Sequence, residues 1–162
     1  RRGSNTGKVL ANIEVRVLVI PEVAGFENFL RKGKNRIVLA TDLEELENEN
    51  ALDILKEIAL VMAEPKVRVM NVRPKNTRLD PVSSYVRNIL VSVFEPEIES
   101  ERSTVFSSNV MSGINFYLNE HDDIGLVAMI ARDSGKLIQK HYTREMATHT
   151  QFPLLVLCDD KI

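Results

Sequence analysis

The chain has 162 residues, a formal net charge of -2 and one cysteine. That length suits one domain with an appendage, long enough to bury a sizeable core without a disulfide or metal. The near-neutral charge gives no reason to expect nucleic acid or an anionic membrane as partner. No apolar stretch approaches the about 20 residues that cross a bilayer as a helix, and the lone Cys158 fits a reducing, cytoplasmic context.

The first element is one half of a repeat. Residues 3–20 read GSNTGKVLANIEVRVLVI and residues 140–157 read KHYTREMATHTQFPLLVL. At a constant offset of 137 (140 minus 3), Thr6 falls on Thr143, Val9 on Met146, Leu18 on Leu155 and Val19 on Val156. In both copies a helix-like segment runs into a four-residue apolar run. Two endings around one complete body predict residues 1–21 as the closing helix and strand of a truncated first domain. A linker over 22–35 and a complete domain over 36–162 follow. The chain starts at Arg1 inside an expected helix, so we expect its natural sequence to extend upstream.

In the body, RIVLAT (36–41) is a near-continuous apolar run, as in a strand buried on both faces. Leu52, Leu55, Ile58, Ala59 and Met62 recur at helical spacing within an expected helix over 46–62, and Pro65 stops it. KVRVMNV (66–72) is a second strand. Residues 82–94 form a helix with Tyr85, Ile89, Leu90 and Val93 inward. Residues 98–106 form a weaker third strand. Residues 109–119 read as a short helix, IGLVAMI (124–130) as the fourth strand, 136–150 as the fourth helix and 154–158 as the fifth strand. Strands alternating with helices predict right-handed crossovers and a parallel sheet with helices on both faces.

Three segments together resemble the universal stress protein A family. RIVLATDLEE (36–45) resembles its opening strand ending in Asp, IGLVAMIARDSG (124–135) its fourth strand and loop, and 140–157 its closing helix and strand. Residues 3–21, with Gly3-Ser4 in place, match that closing pattern better still; Arg16 departs where the family prefers Pro. The resemblance implies an open five-stranded parallel α/β sheet of order 3-2-1-4-5, Rossmann-like and akin to the adenine nucleotide alpha hydrolases. It also implies dimerisation through the last strand and frequent tandem copies.

The resemblance also offers a nucleotide site and weakens it. Family members that hold ATP use Gly-x2-Gly-x9-Gly-Ser/Thr, because bare backbone approaches phosphate and a helix N-terminus offers free N–H groups. Here the closing Gly-Ser falls on Lys140-His141, and the earlier glycines fall on Ile130 and Val127. Asp42 stands where the family recognises adenine. Its plain alternative is a solvated carboxylate introducing a helix, with Glu44, Glu45, Glu47 and Glu49 beside it. An ATP or AMP site would draw on Thr41, Asp42, Val72, Ala131, Arg132, Lys140 and His141, with Gly3 and Ser4 a phosphate-binding remnant of the first domain. Arg132, Lys136, Lys140 and His141 could also attract an anion by charge alone.

His121, His141 and His149 show no metal spacing, Cys158 reads as a buried thiol, and no catalytic triad setting is present. We therefore expect no cofactor, no metal and no enzyme. FPLLVL (152–157) is the stretch with most claim on function, because so apolar an edge strand needs a cover. Pairing through Pro153, Leu154, Leu155, Val156 and Leu157, with Val17 and Val19 as the complementary strand or a second copy supplying one, is the expected mode. It gives a homodimer or an intrachain pseudo-dimer. The expectation is a non-enzymatic stress-response domain acting by dimerisation and partner binding, with a nucleotide sensor as rival.

Overall fold

The computed structural model describes residues 17–20, 33–48, 50–131, 146 and 151–159. Among them are strands β1 (Val17–Val19), β2 (Arg36–Ala40), β3 (Lys66–Arg73), β4 (Glu99–Phe106), β5 (Ile124–Ala131) and β6 (Leu154–Cys158). Helices α1 (Asp53–Val61), α2 (Pro81–Ser92) and α3 (Val110–Glu120) connect them. The expected first-domain helix, the 22–32 stretch of the linker and the expected fourth helix lie outside the described residues, except that Met146 is helical and buried.

The strands form one sheet in the order β1-β6-β5-β2-β3-β4. All neighbours are parallel except β1, which joins β6 antiparallel. Strands β4-β3-β2-β5-β6 keep the expected parallel order 3-2-1-4-5, but the sheet is six-stranded and mixed rather than five-stranded and parallel, and β6 is second in it, with β1 on its outer side. The cause is β1, whose apolar residues satisfy the free backbone groups of β6.

The continuous apolar runs become the central strands. Ile37, Val38 and Leu39 of β2, Leu126, Val127 and Ala128 of β5, and Val156 and Leu157 of β6 are fully buried. Alternation splits the core in two. Ile37, Leu39, Val67, Val69 and Leu126 face α1 and α2 through Leu55, Ala59, Val86 and Leu90. Val38, Met70, Val127, Leu154 and Val156 face α3 through Met111, Ile114, Tyr117 and Leu118, together with Met146. Each such side chain stabilises the fold by about 1.5–3 kcal/mol relative to exposure.

Two helices differ from expectation. The first begins at Asp53 rather than 46, so Glu44, Glu45 and Glu47 lie in a loop and not at a helix start. That loop gives its N–H groups to side chains: Leu43 to Thr41, Glu44 to Asp42 and Asn50 to Asn48. Such local bonds compete with helix. In α2, Tyr85 and Ile89 point outward at 63% and 41% exposure, while Val86 and Leu90 are buried. Asp80 caps this helix by accepting from the Ser83 N–H at 2.9 Å, ahead of Pro81 at its first position.

At the base of the sheet a bulge separates Arg36, opposite Ile124, from Ile37, opposite Leu126. Gly125 is the extra residue, and a Cβ there would run into the Lys34 carbonyl oxygen. Beside it the Arg36 guanidinium donates to Asp123 at 2.7 Å and to the Tyr117 hydroxyl at 3.3 Å. These bonds raise its pKa. Tyr117 stacks on His121, with ring centroids 4.1 Å apart.

Candidate functional site

Ligand sites of open α/β sheets lie at the carboxyl ends of the strands, where the chain's route reverses direction across the sheet. Here that point is between β2 and β5: β3 and β4 extend to one side, β5 and β6 to the other. Thr41 and Asp42 leave the end of β2. The Thr41 N–H donates to the Met70 carbonyl at 2.9 Å, extending the β2–β3 ladder by one step. Asp42, exposed, accepts from the Glu44 N–H at 3.0 Å, an Asx turn that throws the chain off the sheet. Val72 lies near the end of β3, half-buried against the α3-side core, and Ala131 is the last residue of β5, opposite Cys158.

The topology therefore brings Thr41, Asp42, Val72 and Ala131 to one end of adjacent strands. Arg132, Lys140, His141, Gly3 and Ser4 lie outside the described residues. Val127 and Ile130, aligned with the first two glycines of the nucleotide pattern, sit inside β5 at 0% and 8% exposure. They occupy strand, not loop.

One residue of this end has no signal in its local sequence. Asp159 follows β6 and is 2% exposed, not the solvated edge-blunting acid that its position beside Asp160 and Lys161 suggests. Its carboxylate accepts from the Glu47 N–H at 3.0 Å and the Asn48 N–H at 2.8 Å. It thereby ties the loop that follows Asp42 to the end of β6. The partners are separated by 112 and 111 residues, so no window of sequence contains both.

The remaining candidates separate. Pro153, Leu154, Leu155, Val156 and Leu157 are all buried, and β1 covers their strand with Val17 opposite Val156, Leu18 opposite Leu155 and Val19 opposite Leu154. Cys158 is half-buried rather than enclosed. Among the described residues no cluster of His, Cys, Asp and Glu is placed to hold a metal, and no helix is long and apolar enough to cross a membrane. An open groove of about 480 Å³ is lined by Asn88, Val91, Glu95, Ser100, Glu101 and Arg102, and by none of the strand-end residues above.

No family model matches the chain, and no curated protein does. Among solved structures the chain is similar to the crystal structure of a universal stress protein from Archaeoglobus fulgidus, with a TM-score of 0.65 and 14% identity. The match covers 99% of this chain and 55% of that one, so the chain spans about half that protein's length. The likeness establishes the fold: an α/β sheet arranged as in a universal stress protein.

Proposed function

We propose that this chain is a universal-stress-type domain preceded by the closing strand of a first copy, acting in a stress response through intrachain pairing of its two closing strands, a pseudo-dimer, and through partner binding. We further propose that it works without catalysis and without a bound nucleotide, in the cytoplasm. The observation that carries the reading is the register of β1 on β6. The offset of 137 makes Leu18 the repeat equivalent of Leu155, and these two residues face each other at the centre of the ladder. Val17 pairs with Val156, the equivalent of Val19, and Val19 pairs with Leu154, the equivalent of Val17. Exchanging the two copies maps the ladder onto itself. A local two-fold of this kind is what a self-complementary contact between equivalent strands produces.

The residues at the strand ends fit a triphosphate poorly, which supports the nucleotide-free reading. Close approach of phosphate needs bare backbone in a loop. Val127 and Ile130 instead carry buried side chains inside β5, and Asp42, Glu44, Glu45 and Glu47 place acids on the loop nearby.

Light scattering after size exclusion tests the assembly. With β6 satisfied within the chain, the wild type runs as a monomer. Leu18→Pro withdraws β1, and the variant dimerises through β6. A folded, strictly monomeric Leu18→Pro variant refutes the pairing role. Calorimetric titration with ATP-Mg tests the rival: no saturable heat is expected, and a low-micromolar dissociation constant would establish the sensor instead.

A further inference from the structure

Three arginines share the α2-facing side of β3 and β4. Arg73 ends β3, Arg102 lies on β4 and Arg87 projects from α2. The cross-strand pairs Val69–Arg102, Asn71–Thr104 and Arg73–Phe106 set the order along the strands. Arg87 approaches the middle rung: an Nη contacts the Thr104 hydroxyl at 3.4 Å, and that hydroxyl donates to the buried Asn71 side-chain oxygen at 3.0 Å. Arg73 and Arg102 therefore flank it on either side. The Arg73 guanidinium lies over the Phe106 ring, 5.1 Å from its centroid, which supports one face and leaves its N–H edges unspent.

Two of the donors here are unsatisfied. The Nε atoms of Arg73 and Arg87 are both buried, and neither has a hydrogen-bond partner among the described residues. Two other arginines among the described residues have carboxylate partners. Arg36 is paired with Asp123, and Arg68 with Glu99 at 3.0 Å and Glu101 at 3.6 Å. Burial, then the charges of Arg102 and Arg73, push the Arg87 guanidinium below its ordinary pKa. Of the acids nearby, Asp80 is bonded to Ser83 and Glu101 is paired with Arg68, while Glu95 lines the groove beside Arg102. Half-buried Arg73 and Arg87, each with one enclosed donor lacking a partner, and exposed Arg102 repel one another, and an anion drawn to their outer N–H groups would neutralise that repulsion.

We propose that Arg73, Arg87 and Arg102 form a binding site for a dianionic oxyanion, a phosphate or the phosphate group of a small phosphomonoester. A planar guanidinium fork matches phosphate oxygens two at a time. Thr104 and Asn71 behind Arg87 hold the central fork in place, and Asn88 holds Arg102 by accepting its N–H. The site lies on the α2 side of β3 and β4 and uses none of Thr41, Asp42 or Ala131. It stands independently of the strand-pairing proposal.

The test is calorimetric titration of the full chain with inorganic phosphate and, separately, O-phospho-L-serine, with ionic strength held constant by sodium chloride. Saturable one-to-one binding of either probe is expected, and the tighter one identifies whether a free or an esterified phosphate is preferred. Arg87→Gln weakens binding at least about tenfold, the loss of one or two charge-assisted hydrogen bonds; Lys75→Gln, exposed on the neighbouring loop, leaves it unchanged. Thermal unfolding in chloride separates binding from folding: Arg87→Gln is then as stable as the wild type or more so, since it relieves repulsion. Two results overturn the site: no saturable heat with either probe, or wild-type affinity retained by a folded Arg87→Gln variant.

Discussion

Replacing Asp159 by alanine tests how the loop after Asp42 is held. The carboxylate is 2% exposed and accepts two backbone N–H groups, from Glu47 at 3.0 Å and Asn48 at 2.8 Å. Hydrogen bonds to a charged group contribute about 1.5–3 kcal/mol each, and a buried donor left without a partner costs about 1–3 kcal/mol. Part of this is recovered, because the loop is near the surface and water reaches it once the clamp is gone. The net loss is therefore about 3 kcal/mol, or about 8 °C in melting temperature for a chain of this size. Asp159→Asn keeps one acceptor oxygen and loses about half as much. Urea unfolding measures the total, and amide hydrogen exchange locates it: Glu47 and Asn48 lose protection in Asp159→Ala while the amides of β2 and β5 keep theirs. An alanine variant within about 0.5 kcal/mol of the wild type, the usual range for surface changes, would refute the clamp.

Gly125→Ala places a methyl group against the Lys34 carbonyl oxygen at the bulge, a backbone atom that cannot rotate away, and costs about 3 kcal/mol by urea unfolding. Gly113→Ala meets the two Cγ atoms of Val72 at 2.6 and 2.9 Å. Its helix-propensity gain of about 1 kcal/mol offsets the crowding, so its cost is smaller than that of Gly125→Ala, and the reverse order would contradict the bulge assignment. Burial works to raise the Asp123 carboxyl, but the hydrogen bond and charge of Arg36 hold it below the ordinary value. A depressed carboxyl stabilises the fold above its unfolded pKa of about 3.9 and loses that contribution as pH falls through the folded value. The difference in urea midpoint between wild type and Asp123→Asn therefore shrinks on going from pH 7 to about pH 3. A constant difference would show that the ion pair is not what is lost.

The sequence showed its central strands because burial on both faces leaves no room for a polar alternation: residues 36–41, 124–130 and 154–158 read as strands directly, within one residue of the observed bounds. Residues 82–94 were harder. Val82, Tyr85 and Ile89 make one apolar stripe, Val86 and Leu90 another, and periodicity alone does not say which stripe the sheet receives. Packing against β3 and β4 selects the second. The start of α1 was misplaced for a different reason. Its upstream residues look helical in isolation, yet Thr41, Asp42 and Asn48 take up their N–H groups, and Asp159 does the same from beyond the far end of β6. At the strand ends the sequence indicated Thr41 and Asp42. It could not indicate Asp159, because the contact exists only once the sheet has brought residues 47 and 159 together.

The two edges of the sheet are protected in different ways, and the difference bears on how the chain associates. β1 is only three residues long, with Leu18 at 39% exposure, so it offers little template for a further strand. β4 is eight residues long and would be the greater hazard, but it reads ESERSTVF and carries Glu99, Glu101 and Arg102 exposed. Glu99 and Glu101 serve twice, since they also neutralise Arg68, whose side chain is 9% exposed. Replacing both by valine removes the edge charge and leaves that guanidinium without a carboxylate. The double variant should lose about 3 kcal/mol, the lower end of the range for stranding one member of a buried pair. Its solubility should also fall steeply on heating, with turbidity rising below the wild-type melting temperature. If the variant unfolds earlier but stays clear, the acids matter to Arg68 alone and the polar edge is not what keeps β4 from pairing.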